Sequence, residues 1–176
     1  MPTTYYEARP QRILLPANPL FIGFTLFGGL LANLLPWQSV TGLPDLLALV
    51  LVFWSVHQPR RVSVGVAWMF GLLMDAGNGT LLGQHALAYA VMAFAANALS
   101  RRLLWFPVWP QALQVFLVLL GTQVLMLGVR MIAGSPFPGV LYFAGSFIAA
   151  ALWPLANIVL LAPQRRPESV DENRPI

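Results

Sequence analysis

The chain has no cysteine, so disulfides and thiolate metal sites are excluded. It has no lysine: all ten basic residues are arginine. Charge of either sign is scarce, with ten basic and six acidic residues making 9% of 176. Soluble domains carry about 25%, and a water-soluble fold cannot cover its surface with so few. Histidine occurs twice, at His57 and His85, predicted on opposite faces, which leaves no metal site to propose.

What fills the chain instead is apolar. Hydrophobic residues make up 58%, and the mean hydropathy is +0.71. These values specify an integral membrane protein whose partner is the lipid bilayer. A net charge of +4 and a pI near 10.4 would point to nucleic acid in a soluble protein. Here the arginines stand mostly in pairs between apolar runs, which is a topology signal, and no nucleic-acid partner is expected.

Residues 1–19, "MPTTYYEARPQRILLPANP", form a polar, proline-rich tail. The apolar run after it does not read as a cleaved signal: the tail is long, no small-residue cleavage site follows "LLANLLPW", and further apolar runs come after. Apolar runs compatible with crossing a hydrocarbon core of about 30 Å fall at residues 20–36, 43–57, 62–76, 82–99, 111–133 and 139–162. The third and fourth come from one stretch, 62–100, divided at "AGNGT", where Gly77, Asn78 and Gly79 are strong turn formers. Residues 163–176 form a charged tail.

With six crossings, Arg9, Arg12, Arg60, Arg61, Arg101, Arg102, Arg165, Arg166 and Arg174 share one side, and Arg130 alone falls on the other. The positive-inside rule then puts both termini in the cytoplasm. An undivided span over 62–100 would put its flanking arginine pairs on opposite faces. The expected fold is therefore an all-α polytopic bundle of six transmembrane helices. Its outer loops, "WQSVTG", "GNGT" and "GSPFPG", are too short to fold alone.

Asp75 is the one acid in "VAWMFGLLMDAGNGTLLGQHALAY". Ala67, Gly71, Asp75 and Gly79 are four apart, so they run along one helical stripe to the turn, and small residues on such a stripe let helices approach closely in lipid. An acid within a span costs about 2.5–3.5 kcal/mol on insertion scales and faces a partner or a cavity. The sequence offers Arg130 as that partner, with Asp45 close enough to compete. The alternative is that Asp75 caps its helix or is solvated near "GNGT" while Arg130 snorkels to headgroups.

Phe53-Trp54, Trp37, Trp105 and Trp109 fit an interfacial aromatic belt. Pro154, after Trp153, frees a backbone carbonyl and bends span six, on which Gly145 and Ala149 form a second close-packing stripe. Asn97 and Gln123 are mid-membrane amides expected to be satisfied across helices. Enzymatic constellations are missing. Asp45 and Asp75 lack the Gly-x-Gly-Asp context of intramembrane aspartyl proteases. Ser146 lacks the Gly-x-Ser-Gly context of rhomboid-like ones. "GNGTLLG" lacks the Lys and Ser/Thr of a phosphate loop. The expectation is a protein that is not an enzyme and has no cofactor.

Read in order, several features resemble one family. They are Pro36-Trp37, Pro44, Phe53-Trp54, the "PRRVSVG" run from Pro59 to Gly65, Asp75, "GTLLG" from Gly79 to Gly83, and Leu152-Trp153-Pro154. Across most of residues 35–160 this order resembles the bacterial rod shape-determining MreD family, with "GTLLG" one residue longer than the family's Gly-x-Leu-Gly. The resemblance implies a non-catalytic component of the cell-elongation complex in the inner membrane. It also implies binding to the periplasmic scaffold MreC, with indirect links to MreB, to RodA and to a penicillin-binding transpeptidase of peptidoglycan synthesis. Lateral grooves would serve MreC and further copies of the chain, as a homo-oligomer. The family's likeness in fold to the S components of energy-coupling-factor transporters makes a vitamin-like binding module the competing expectation. Asp45, Asp75, Arg130 and Asn78 are the few polar groups it could use.

Overall fold

The computed structural model describes residues 17–35 and 42–164. Within them the fold is all-helical: α1 (Pro19–Leu34), α2 (Leu46–His57), α3 (Val64–Asn78), α4 (Gln84–Trp105), α5 (Val108–Ile132), α6 (Ala144–Ala151) and α7 (Trp153–Leu161). One 3-10 turn, Val140–Phe143, leads into α6, and another, Ala162–Gln164, follows α7. Pro36-Trp37, Arg9, Arg12, Arg165, Arg166 and Arg174 lie outside the described residues.

Local chemistry sets the helix ends. The Asn18 side chain accepts from Leu20 N–H at 3.0 Å just before Pro19, a residue suited to the first helical position. Asp45 caps α2 by accepting from Ala48 N–H at 2.8 Å. Gly79, at φ +61°, ends α3 in a left-handed cap that glycine adopts without strain. At Leu152 the sixth apolar run breaks into α6 and α7 with a bend of 42°. Pro154 has no N–H to offer Ala150 C=O four residues back, which accounts for the expected kink.

α2 is the axis of the bundle, buried at nearly every position from Leu47 to Val56. Phe53 and Trp54 are fully buried there, so they belong to the core and not to an interfacial belt. Trp54 packs edge-on against Phe21 and donates Nε1–H to Thr25 Oγ1 at 2.9 Å, holding α1 to α2. The indole thus found a hydroxyl across the helix pair, which lets it sit in the interior. Trp105 and Trp109 remain outward, 89% and 75% exposed.

Small residues set the close approaches. α3 packs on α4 more extensively than any other pair. A Cβ on Gly71 would run into the α-carbon of Ala86, and Ala67, one turn back, is fully buried. Gly145 presses on the Leu43 carbonyl, and Ala149 and Trp153 are buried beside it along α6 and α7, with Pro154 half-buried at the bend. Gly79 departs from the expected packing stripe. A Cβ there would meet nothing within 4 Å, and its role is conformational.

The outside of the bundle carries many large apolar side chains, with Leu20, Phe24, Val140 and Ile132 all at least three-quarters exposed. So extensive an apolar surface suits lipid and not water. By length and hydropathy together, α5 qualifies as a span, and the bent α6–α7 pair qualifies if it counts as one. α1 and α2 are apolar but shorter. α4 runs on through Arg101 and Arg102 to Trp105, and α5 starts at Val108, ahead of the expected boundary.

Candidate functional site

A network built on two carboxylates lies at the end of the bundle opposite its arginine pairs. The pairs' end is fixed by Arg61, whose Nη1 donates to Ala17 C=O at 2.8 Å, joining the start of α1 to the α2–α3 turn. At the other end Asp75, in the last turn of α3, is 1% exposed and surrounded by donors. Its Oδ1 accepts from His85 N–H at 3.0 Å, Thr80 Oγ1–H at 3.0 Å and His85 Nδ1 at 2.7 Å. Its Oδ2 accepts from Gly83 N–H at 2.8 Å and Ala86 N–H at 3.3 Å.

The geometry is that of a helix cap supplied from the preceding helix. α4 begins after Gly83, which has no side chain to satisfy the first N–H groups. Asp75 provides the acceptor instead, at the positive end of the α4 dipole. Burying a carboxylate is costly without compensating donors. Five of them surround this one.

A second carboxylate lies alongside. Asp45 Oδ1 accepts from Ala48 N–H and, at 2.6 Å, from Asn33 Nδ2–H. Its Oδ2 accepts from Tyr89 Oη–H at 2.6 Å. Asn33 Oδ1 takes Leu46 N–H at 3.1 Å, so the amide reads both sides of the α2 start. The His85 and Tyr89 rings meet edge to face with centroids 5.8 Å apart. Asp75, His85, Tyr89, Asp45 and Asn33 thereby form one line of contacts across α3, α4, α2 and α1.

The expected Asp75–Arg130 pair does not form. Asp75 Oδ1 instead lies 2.7 Å from His85 Nδ1. Arg130 is half-buried on α5, and no carboxylate among the described residues lies within ion-pair distance of it. The reason is placement: α4 packs on both α3 and α5, and its own N–H groups reach Asp75 first. Asp45 competes for nothing, since its oxygens serve α1, α2 and α4.

Of the two mid-membrane amides, Gln123 behaves as expected, its Oε1 accepting Ser146 Oγ–H at 2.6 Å across α5 and α6. Asn97 does not: its Oδ1 is buried with no hydrogen-bond partner in the described structure. Trp153 donates Nε1–H to Gln111 Oε1 at 3.1 Å, fixing the kink of α7 against the start of α5.

Sequence reasoning missed His85, Tyr89, Thr80 and Asn33 as parts of the network. A signal was present. His85 and Tyr89 are four apart on a helix that opens just after a glycine turn, so both lie on one face of that helix. The assembled groups donate to and accept from one another. What they do is hold four helix ends in register.

The pattern of the family described as rod shape-determining protein MreD matches residues 15–162. The rod shape-determining protein MreD of Haemophilus influenzae is 30% identical over 125 residues, covering 70% of this chain and 76% of that protein. No solved structure matches the chain. It is thus a membrane protein of the cell-shape machinery, and the chain belongs to the MreD family.

Proposed function

We propose that this protein is a non-catalytic subunit of the rod elongation complex in the bacterial inner membrane, where it binds MreC and tunes peptidoglycan synthesis. The observation that carries the reading is the family match over residues 15–162, nearly the whole helical bundle. In this reading residues 20–162 are one domain crossing the bilayer six times, with the tails 1–19 and 163–176 in the cytoplasm. Asp75 and Asp45 act as internal clamps that fix the periplasmic helix ends, and Arg130 snorkels to headgroups on that side. The small-residue contacts at Ala67, Gly71, Gly145 and Ala149 keep the bundle rigid. The bend at Trp153-Pro154 shapes its flank.

Two features support an interaction role over small-molecule binding. Both carboxylates are already satisfied by protein donors, which leaves them few lone pairs for a ligand. The exterior is apolar and available to other membrane helices, either the partner's or a second copy's. Depletion in the host should round the cells, and the tagged protein should co-purify with MreC from detergent-solubilised membranes. Rod-shaped growth after clean deletion, without suppressors, overturns the proposal.

A further inference from the structure

α4 and α5 do not close against one another along their whole length. They leave a lateral groove of about 800 Å³, within the range of about 300–1,000 Å³ typical of small-molecule sites. Its walls are apolar over most of their extent, with Val91, Leu99, Leu117 and Leu125 among the lining residues. Gly121 leaves one wall open, since a Cβ there would meet nothing within 4 Å. Two polar side chains line the groove besides Thr122, whose hydroxyl is engaged by Val118 C=O. They are Arg102, near the end of α4, and Gln114, near the start of α5. Because α5 follows α4 after a short turn, both lie toward the same end of the groove. Phe106 lines that end too, and the exposed Trp105 and Trp109 stand beside it. Such aromatics mark the level of a membrane interface.

The groove is therefore amphipathic along its length: a guanidinium and an amide at the interface, hydrocarbon beyond. Its depth matches one leaflet. From Arg102 to Val91 on α4, and from Gln114 to Leu125 on α5, the helical rise is about 16 Å. Half of a hydrocarbon core is about 15 Å. A partner's membrane-spanning helix would need an apolar track twice that long, and it would not need a cation beside it.

We propose that this groove holds an acyl chain of an anionic phospholipid, with the lipid's phosphate bound by Arg102 and Gln114. Basic pockets between membrane helices recognise such headgroups by charge, while the apolar walls hold the chain.

The test is native mass spectrometry of the full chain in detergent, with dioleoyl phosphatidylglycerol or dioleoyl phosphatidylcholine added. The wild type should retain the anionic lipid about fivefold better than the zwitterionic one, the preference expected from one arginine. Arg102→Gln should bring the two lipids to parity. Gly121→Phe should displace both by filling the groove, whereas Gly128→Phe, at another open helical position outside it, should displace neither. Equal retention of both lipids by the wild type overturns the proposal, as does an unchanged preference in Arg102→Gln. If Gly121→Phe keeps its lipid and instead loses MreC on co-purification, the groove is a seat for a protein helix and the lipid assignment fails.

Discussion

Tyr89 Oη donates to Asp45 Oδ2 at 2.6 Å, so a phenol on α4 reaches the carboxylate that also caps α2. The contact joins helices whose sequences are 44 residues apart at this point. Tyr89 is fully buried, and its ring touches His85, the partner of Asp75. The two caps are therefore linked mechanically. Movement of the α4 start is felt at the ends of both α2 and α3.

Replacing Tyr89 by Phe removes the donor and keeps the ring. The Asp45 carboxylate, half-buried, then loses one of its three donors among the described residues. Hydrogen bonds to charged groups contribute about 1.5–3 kcal/mol, and the loss should fall in that range in detergent unfolding. The same change made in an Asp45→Asn background should cost clearly less. Additive effects in that double-mutant cycle would show that the contact is not an energetic one.

Asp75→Ala strands the Gly83, His85 and Ala86 N–H groups of the first α4 turn together. Losing a cap and leaving buried donors unpaired should destabilise the protein by about 2–4 kcal/mol. Arg130→Ala, which touches none of these groups, should stay within about 0.5 kcal/mol of wild type. The exchange Asp75→Arg with Arg130→Asp should recover nothing. Rescue by that exchange, in expression or melting temperature, would restore the ion pair that the geometry denies.

Gly71→Ala should push α3 off α4, because its methyl would overlap the Ala86 backbone. Backbone gives less readily than a side chain, and overpacking of this kind costs about 1–3 kcal/mol. Gly128→Ala is the control: it is helical with nothing within 4 Å of the new methyl. There the substitution should be neutral or stabilise by about 0.5–1 kcal/mol. Equal melting temperatures for the two variants would mean that Gly71 is not a contact point.

Glycine and proline were the readable parts of the sequence, because their backbone chemistry is local. Gly79 announced the end of α3, and Pro154 the bend of the last helix pair. Gly71 and Gly145 announced close approaches, although spacing alone made Gly79 look like one more packing residue. The partners of Asp75 were hidden for a physical reason. Three of its five donors are backbone N–H groups, which every residue but proline carries and which no composition reveals. Searching for a charged partner led to Arg130, while the positive end of α4 was the stronger attraction. Phe53 and Trp54 misled in a similar way. An indole beside a helix end reads as interfacial until a hydroxyl such as Thr25 is known to lie across from it.

The sidedness of the arginines admits a direct measurement because the chain has no cysteine of its own. Single substitutions Arg60→Cys, Arg101→Cys and Leu82→Cys report three positions without background. Arg60 and Arg101 are exposed near helix ends, and Leu82 is 74% exposed in the α3–α4 turn. With α3 and α4 both crossing, residues 60 and 101 share the cytoplasmic side and residue 82 faces outward. A membrane-impermeant maleimide applied to intact cells with a permeabilised outer membrane should label Leu82→Cys. It should label the other two only after lysis. Guanidinium groups resist translocation, so the proposed arrangement keeps both arginine pairs on one side even though α3 is short for a span. Labelling of residues 60 and 101 from opposite sides would make α3 and α4 a single crossing. It would also place the Asp75 cap in the membrane interior and not at the edge where the six-crossing proposal puts it.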